Sequence, residues 1–319
     1  MSRQETRNGD RHWADIGEMT VVGGIRLLYF FYRIGGRFLF LISLWPVVVF
    51  YWALLPNARR ASLDYLMHAW KCGMLKTKPN QLTVFKHLFH FADTILDKVL
   101  SVAGHFTVND LAVSGRDELL SDGRGAVIVT THTGCLELCQ ALTSDPSRLF
   151  VLTHTRHAEQ FNRVLARINP NFAVNHIEVT QLSPAVAIGL SDTVAKGGFL
   201  VIAGDRVPIA SKAVTYVDFL GEKAPFPTGP ALLSMLLQCP LWTMICTRNV
   251  KGTGQRYRLT FSKIWEPKIV GRGAREDYFH TVAYKFSKEL EMQLKKAPLD
   301  WFNFFDFWGQ KPRSEVKAK

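Results

Sequence analysis

The run VIVTTHTGCLEL, residues 127–138, places a histidine where an acid–base catalyst could work. Its first residues favour β structure, so a strand is expected to end at Thr130 or Thr131, with His132 on the turn that leads into a helix. Gly134 allows that turn to be tight. Glu137 follows His132 by five positions; if 134–143 is helical, it lies near one turn further in and its carboxylate is expected to reach back to the ring. One imidazole nitrogen would then take a hydroxyl proton while the other donates to Glu137, fixing the tautomer and steadying the imidazolium. The spacing alone is common, and a strand-end histidine beside a surface glutamate is the bland alternative.

Two further segments carry polar groups on apolar scaffolding. GDRVP (204–208) follows the strand-like GFLVIA (198–203), so Asp205 and Arg206 are expected at the same sheet edge as His132, unless they form only a turn with a surface ion pair. In FLGEKAPFPTGPALLSM, Thr228, Gly229 and Pro230 open a helix whose exposed N–H groups could receive an anion or a developing oxyanion; simple capping explains them as well. The five cysteines include Cys135 and Cys139, which read as small buried residues. Their odd number and lack of metal-site spacing point to a reducing compartment and to no metal.

These positions need a scaffold. Strand candidates are 126–130, 149–153, 198–203, 214–219, 241–247 and 257–261, with helices expected at 134–143, 157–168, 183–196, 228–238 and 275–296. Phe85, Leu88, Phe91, Ile95 and Val99 form the apolar stripe of an earlier helix. Strands alternating with helices predict an α/β fold, a mostly parallel sheet flanked by helices. Such sheets place ligands beyond the carboxyl ends of their strands, where His132 would stand.

Upstream, Phe38–Leu55 is eighteen residues without a charge. As a helix it would be ~27 Å long, close to the ~30 Å hydrocarbon thickness of a bilayer. Pro46 is expected to kink it, and Trp45, Tyr51 and Trp52 suit the headgroup level. A spanning helix, a kinked re-entrant hairpin and a buried core helix all fit; the first two hold the protein at a membrane. The organisation expected is an anchor over 1–60, a catalytic domain over 61–310 that folds without it, and a basic tail over 311–319.

The chain has 319 residues, 47% hydrophobic, with a formal net charge of +12, so a packed core and an anionic partner are expected. Nucleic acid is disfavoured as that partner, since no zinc-finger spacing, RNA-binding sheet motif or basic heptad region is present.

The order of these blocks carries a resemblance. HTGCLE, a strand ending in GDR, and FPTGPALL leading to a proline and an apolar strand resemble the lysophospholipid acyltransferase superfamily, and within it the bacterial lipid A biosynthesis (lauroyl and myristoyl) acyltransferases. The resemblance covers roughly residues 15 to 310. It implies fatty acyl transfer from acyl carrier protein or acyl-coenzyme A to a hydroxyl of a lipid or glycolipid, without metal or other cofactor. His132 would be the general base and Glu137 its partner. Asp205, Arg206, Thr228 and Gly229 would bind substrate, together with Arg156 in THTRHAEQFN. It also implies a bacterial inner-membrane protein whose catalytic domain faces the cytoplasm. One departure stands out: where those enzymes carry a basic stretch after a tryptophan, this chain reads APLDWFNFFDFW, with Trp301, Asn303, Asp306 and Trp308. This resembles the subgroup associated with aryl-polyene or flexirubin pathways and sets lipid A itself aside as the assured acceptor.

Two rival functions remain at this level. A thioesterase or esterase would use the same histidine with water, although no G-x-S-x-G elbow is present. A non-catalytic membrane lipid-binding module would keep the fold alone.

Overall fold

In a computed structural model of the chain, the described residues are 22–105, 110–138, 145–153, 175–178, 184–207, 213–249 and 254–309. Arg156, the helix expected at 157–168 and the tail at 311–319 lie outside them.

Three helices lead in: α1 (Val22–Leu54), α2 (Pro56–Lys71) and α3 (Gln81–Val102). The expected break in α1 is not at Pro46. It falls at Gly35 (φ −123°, ψ 20°) and Gly36 (φ 60°, ψ −158°), backbone values that glycine takes at little steric cost. Helix α3 starts on a reciprocal cap, in which the Asn80 side chain accepts from the N–H groups of Leu82 and Thr83 while Thr83 Oγ1 accepts from the Asn80 N–H. Phe40, Leu44 and Val48 of α1 bury themselves against Leu96 and Leu100 of α3. The opposite stripe of α1 (Phe30, Ile34, Phe38, Ile42 and Val49) is exposed, Phe38 by 75%. Helix α1 is therefore neither a free appendage nor a buried core helix.

Charges fasten the same helices to the sheet. Arg37 of α1 reaches Asp93 and Asp97 of α3; Arg256 reaches the same two carboxylates, and Arg248 reaches Asp93. The Tyr257 hydroxyl donates to Asp97 over 2.6 Å.

The remaining elements are β1 (Leu111–Ser114), α4 (Arg116–Ser121), β2 (Ala126–Thr130), β3 (Leu149–Thr153), β4 (Asn175–Glu178), α5 (Pro184–Ala195), β5 (Phe199–Ala203), β6 (Val214–Phe219), β7 (Glu222–Pro227), α6 (Gly229–Leu237), β8 (Leu241–Arg248), β9 (Tyr257–Trp265) and α7 (Arg275–Leu294). Seven strands form one sheet in the order β1-β9-β8-β2-β5-β3-β4. The run from β8 to β4 is parallel; β9 turns back antiparallel on β8, and β1 lies parallel to β9. The expected α/β architecture is present. The expected strand at 214–219 does form, but outside this sheet. As β6 it pairs with β7 in a separate hairpin whose turn residues Leu220 (φ 52°) and Gly221 (φ 83°) both take positive φ, the backbone of a tight two-residue hairpin.

Strand β2 runs through the centre with all five residues buried, as a parallel strand covered on both faces should be. Successive side chains alternate between faces. Val127 and Val129 join the core under α6 and α7 with Phe226, Phe286 and Leu290, while Ala126 and Ile128 join the other with Phe199, Trp242 and Met244. The strand is thus fixed on both sides, and its carboxyl end has little freedom to move.

Candidate active site

The end of β2 is pinned before His132 begins. Thr130 donates its hydroxyl to the Met244 carbonyl (2.8 Å), and the Thr131 and Thr133 hydroxyls share a hydrogen bond of 2.7 Å. Gly134 has φ 49°, and a β-carbon there would stand 2.7 Å from the Cys246 carbonyl oxygen, so this turn needs glycine. The Gly134 N–H donates to the Asp300 carbonyl (3.1 Å) and the Phe302 N–H to the His132 carbonyl (2.8 Å). A strap at 298–308 thereby closes over the loop.

Strand register brings His132 its partner. Strands β2 and β5 pair in parallel with Thr130 opposite Ala203, and each chain runs two residues further, to His132 and to Asp205. His132 Nδ1 lies 2.7 Å from Asp205 Oδ1, and the His132 backbone N–H donates to Oδ2 at 2.9 Å. Asp205 is fully buried, and Oδ2 also accepts from Trp301 Nε1 (2.9 Å) and Asn303 Nδ2 (3.2 Å).

Glu137 is placed differently from the sequence expectation. Residues 136–138 form a short 3-10 turn in place of the start of an α-helix, and Glu137 Oε1 pairs with Lys98 Nζ of α3 at 3.3 Å. Its Oε2 accepts from the Cys135 thiol at 3.7 Å. The partner role expected of Glu137 on Nδ1 is filled by Asp205, which had been expected to face substrate. The reason is local: a helix would have turned Glu137 back toward the ring, whereas the left-handed Gly134 and the tighter turn present it to α3.

The electrostatics follow from burial and the neighbouring charges. Burial lowers the proton affinity of His132, and the Arg206 charge lowers it further; Asp205 opposes both but does not reverse the shift. Burial pushes the Asp205 carboxyl up, but the charge and hydrogen bonds of His132, with Arg206, outweigh it and bring the group down to about 2. At neutral pH the pair is therefore a neutral imidazole on an ionised carboxylate. Nδ1–H donates to Asp205, and the Nε2 lone pair is the proton acceptor. The imidazole keeps 29% of its surface open.

Arg206 Nε donates to Asn303 Oδ1 (3.1 Å), and its guanidinium lies over the Phe305 ring. Burial draws its pKa down to about 10, so it remains a cation. Thr228 and Gly229 open α6 as expected; Pro230 and Ala231 of its first turn line an apolar cavity with Gly204, Val129, Phe226 and Phe286. Among the described residues no group of three or more His, Cys, Asp or Glu could hold a metal ion.

Residues 98–309 match the bacterial lipid A biosynthesis acyltransferase family. The chain belongs to that family. It is a lipid acyltransferase, and the match encloses His132, Asp205, Arg206 and the whole strap. The 1-acyl-sn-glycerophosphate (LPA) acyltransferase PlsC from Thermotoga maritima is a similar solved structure, 12% identical, with 76% of this chain and 96% of that chain covered at a TM-score of 0.33. The family match, not this distant likeness, carries the assignment. No curated protein matches the chain.

Sequence reasoning named His132, Asp205 and Arg206 and brought them to one edge, but it left Lys98 unremarked. It noted Trp301 and Asn303 only as a departure in composition, with nothing local to show that they return to Asp205.

Proposed function

We propose that this lipid acyltransferase moves a fatty acyl group from an acyl thioester, with acyl carrier protein favoured, to a hydroxyl of a lipid or glycolipid acceptor, lipid A-like or aryl-polyene lipid. The observation that carries the reading is the Nδ1–Asp205 hydrogen bond of a histidine held neutral. Nε2 takes the proton from the acceptor hydroxyl as its oxygen attacks the thioester carbonyl. The tetrahedral oxyanion then collapses, the C–S bond breaks, and the imidazolium returns the proton to the departing thiolate. Asp205 stabilises the imidazolium between these steps. Arg206 supplies positive charge for the oxyanion or for a substrate phosphate.

The apolar stripe of α1 supports a membrane setting. Tyr29–Leu54 is 26 residues long, and an 18-residue stretch of it has mean hydropathy 1.8 with only 17% of that stretch buried within the protein. The net charge of +12 suits both an acidic carrier protein and anionic headgroups.

The test is product analysis of the purified protein with lauroyl acyl carrier protein and a bacterial membrane-lipid extract. A new lauroyl ester supports transfer. Lauric acid alone would move the assignment to a hydrolase, and neither product would leave a lipid-binding module.

A further inference from the structure

Asp205, fully buried, and Arg206, partly buried, are consecutive residues of opposite charge. A guanidinium that reaches a carboxylate can take it in a two-pronged ion pair. Here each ion faces something else: the carboxylate faces His132 and the guanidinium faces the strap. Asn303 stands between them, 1% exposed. Its Nδ2 donates to Asp205 Oδ2 at 3.2 Å and its Oδ1 accepts from Arg206 Nε at 3.1 Å.

We propose that Asn303 is a positioning residue for acyl transfer, whose amide keeps Asp205 and Arg206 from neutralising each other and so commits the carboxylate to His132. The inference rests on the reading of His132 as the general base. A primary amide is suited to this place because it offers a donor to the anion and an acceptor to the cation from one planar group. The orientation follows from the neighbours: flipped, the amide would set oxygen against carboxylate and NH2 against guanidinium. Asp has no donor for the carboxylate when ionised, and Leu has neither group.

The strap holds this amide in place. The Trp301 carbonyl accepts from His87 Nε2 (2.9 Å), the Phe302 carbonyl from Arg206 Nη2 (3.4 Å), and Thr133 bridges Trp301 in antiparallel fashion. Trp301 and Phe302, the two residues that precede Asn303, are therefore tied to α3, to Arg206 and to the loop that carries His132.

The test uses the full chain in detergent, with thiol release from a lauroyl-pantetheine thioester in membrane-lipid extract as the readout, so that any acceptor is registered. Asn303→Leu is expected to lower kcat by about 10-fold or more while the donor KM changes less. Asn303→Asp keeps an acceptor for Arg206 but adds a carboxylate beside Asp205. It is expected to raise the proton affinity of His132 and move the acid limb of kcat/KM up by about one pH unit. This nearly isosteric variant carries the test if the Leu variant does not fold. Activity that merely follows the folded fraction, with an unmoved acid limb in Asn303→Asp, would overturn the proposal. His132→Ala is run alongside: an active His132→Ala protein removes the base reading itself, whereas a dead one with normal Asn303 variants removes only this inference.

Discussion

His132 and Asp205 stand 73 positions apart in the chain, yet each lies two residues beyond the registered pair Thr130 and Ala203 of adjacent parallel strands. Their 2.7 Å contact is therefore set by the sheet rather than by a flexible loop. A one-residue slip of β5 would exchange Phe199 and Val201 with Leu200 between the two cores that flank the sheet. The register that protects the core is the register that assembles the pair.

It follows that Asp205 and Glu137 should not be equivalent. Asp205→Asn should lower kcat by about 10²–10⁴-fold, since an amide cannot stabilise the imidazolium and can present the wrong group to Nδ1. Glu137→Gln leaves that contact intact and frees Lys98, so its loss should be about 10-fold or less. Steady-state rates of both variants at matched folded content decide the matter; equal losses would return Glu137 to the role expected from sequence.

The pH dependence has a definite sign. Burial and the Arg206 charge hold His132 below the ordinary imidazole value of about 6.5, so the neutral base persists below that pH. The acid limb of kcat/KM should therefore lie under about 6.5. Arg206→Met removes one of the lowering influences, and its acid limb should move upward. A limb that stays in place or falls would show that the Arg206 charge does not reach the ring.

How much of this was legible in the sequence depended on the range of the interaction. The buried strands β2, β5 and β8 declared themselves as apolar, β-branched runs, and His132 and Asp205 were visible at their ends. The four-residue edge strands β1 and β4 carry too little pattern. Strand β7 was hidden by Pro225 and Pro227, which a two-stranded hairpin tolerates more easily than a central strand. The choice of partner for His132 was not legible. It turns on the left-handed Gly134, on strand register, and on Trp301 and Asn303 returning from the far end of the chain. A local H-x4-E spacing contains none of these.

The charge cluster between α1, α3 and the sheet should matter to folding rather than chemistry. Asp97 is fully buried and accepts from Arg37 Nη1 (2.7 Å), Arg256 Nε (2.8 Å) and the Tyr257 hydroxyl. Asp97→Ala leaves Arg37 and Arg256 with Asp93 alone and takes the acceptor from the buried Tyr257 hydroxyl, so it is expected to destabilise by about 1–3 kcal/mol. Deleting residues 1–56 would likewise remove Arg37 and uncover Leu96 and Leu100, so the expected independence of the 61–310 domain should fail. Urea midpoints in detergent test both; an unchanged midpoint for Asp97→Ala would show that the cluster contributes little net stability.

His87 predicts a second pH effect, on stability. It is fully buried, accepts from the Ser62 hydroxyl at Nδ1 (2.8 Å), and donates from Nε2 to the Trp301 carbonyl. Burial brings its pKa down to about 4, against about 6.5 unfolded. Between these values the unfolded chain binds the proton and the folded one does not, so stability is lost as pH falls from about 6.5 to about 4, by on the order of 3 kcal/mol. His87→Gln should be less stable at pH 7 but should lose less over that window. Parallel stability–pH curves for the two proteins would remove His87 as the cause.

The two faces of α1 should separate membrane attachment from folding. Phe38 and Ile42 are 75% and 51% exposed, whereas Leu44 is 1% exposed and packs in the α1–α3 cluster. A lysine at Phe38 or Ile42 meets only the surroundings of the protein. In detergent such a variant should keep its thermal midpoint, but in cells it should leave the membrane fraction, because apolar burial in the bilayer is replaced by a charge that must be dehydrated or displaced to the surface. Leu44→Lys places the ammonium against Leu96 and Leu100 and should lower the midpoint even in detergent, since a buried unpaired charge has no compensation. The unmodified protein should resist a 1 M salt wash, as apolar burial is not weakened by screening that cuts the Debye length to about 3 Å. Sedimentation with and without salt, beside thermal melts of the three variants, tests the division. If Phe38→Lys and Ile42→Lys stay membrane-bound while salt releases the unmodified protein, the basic surface and not the α1 stripe holds the enzyme to the membrane.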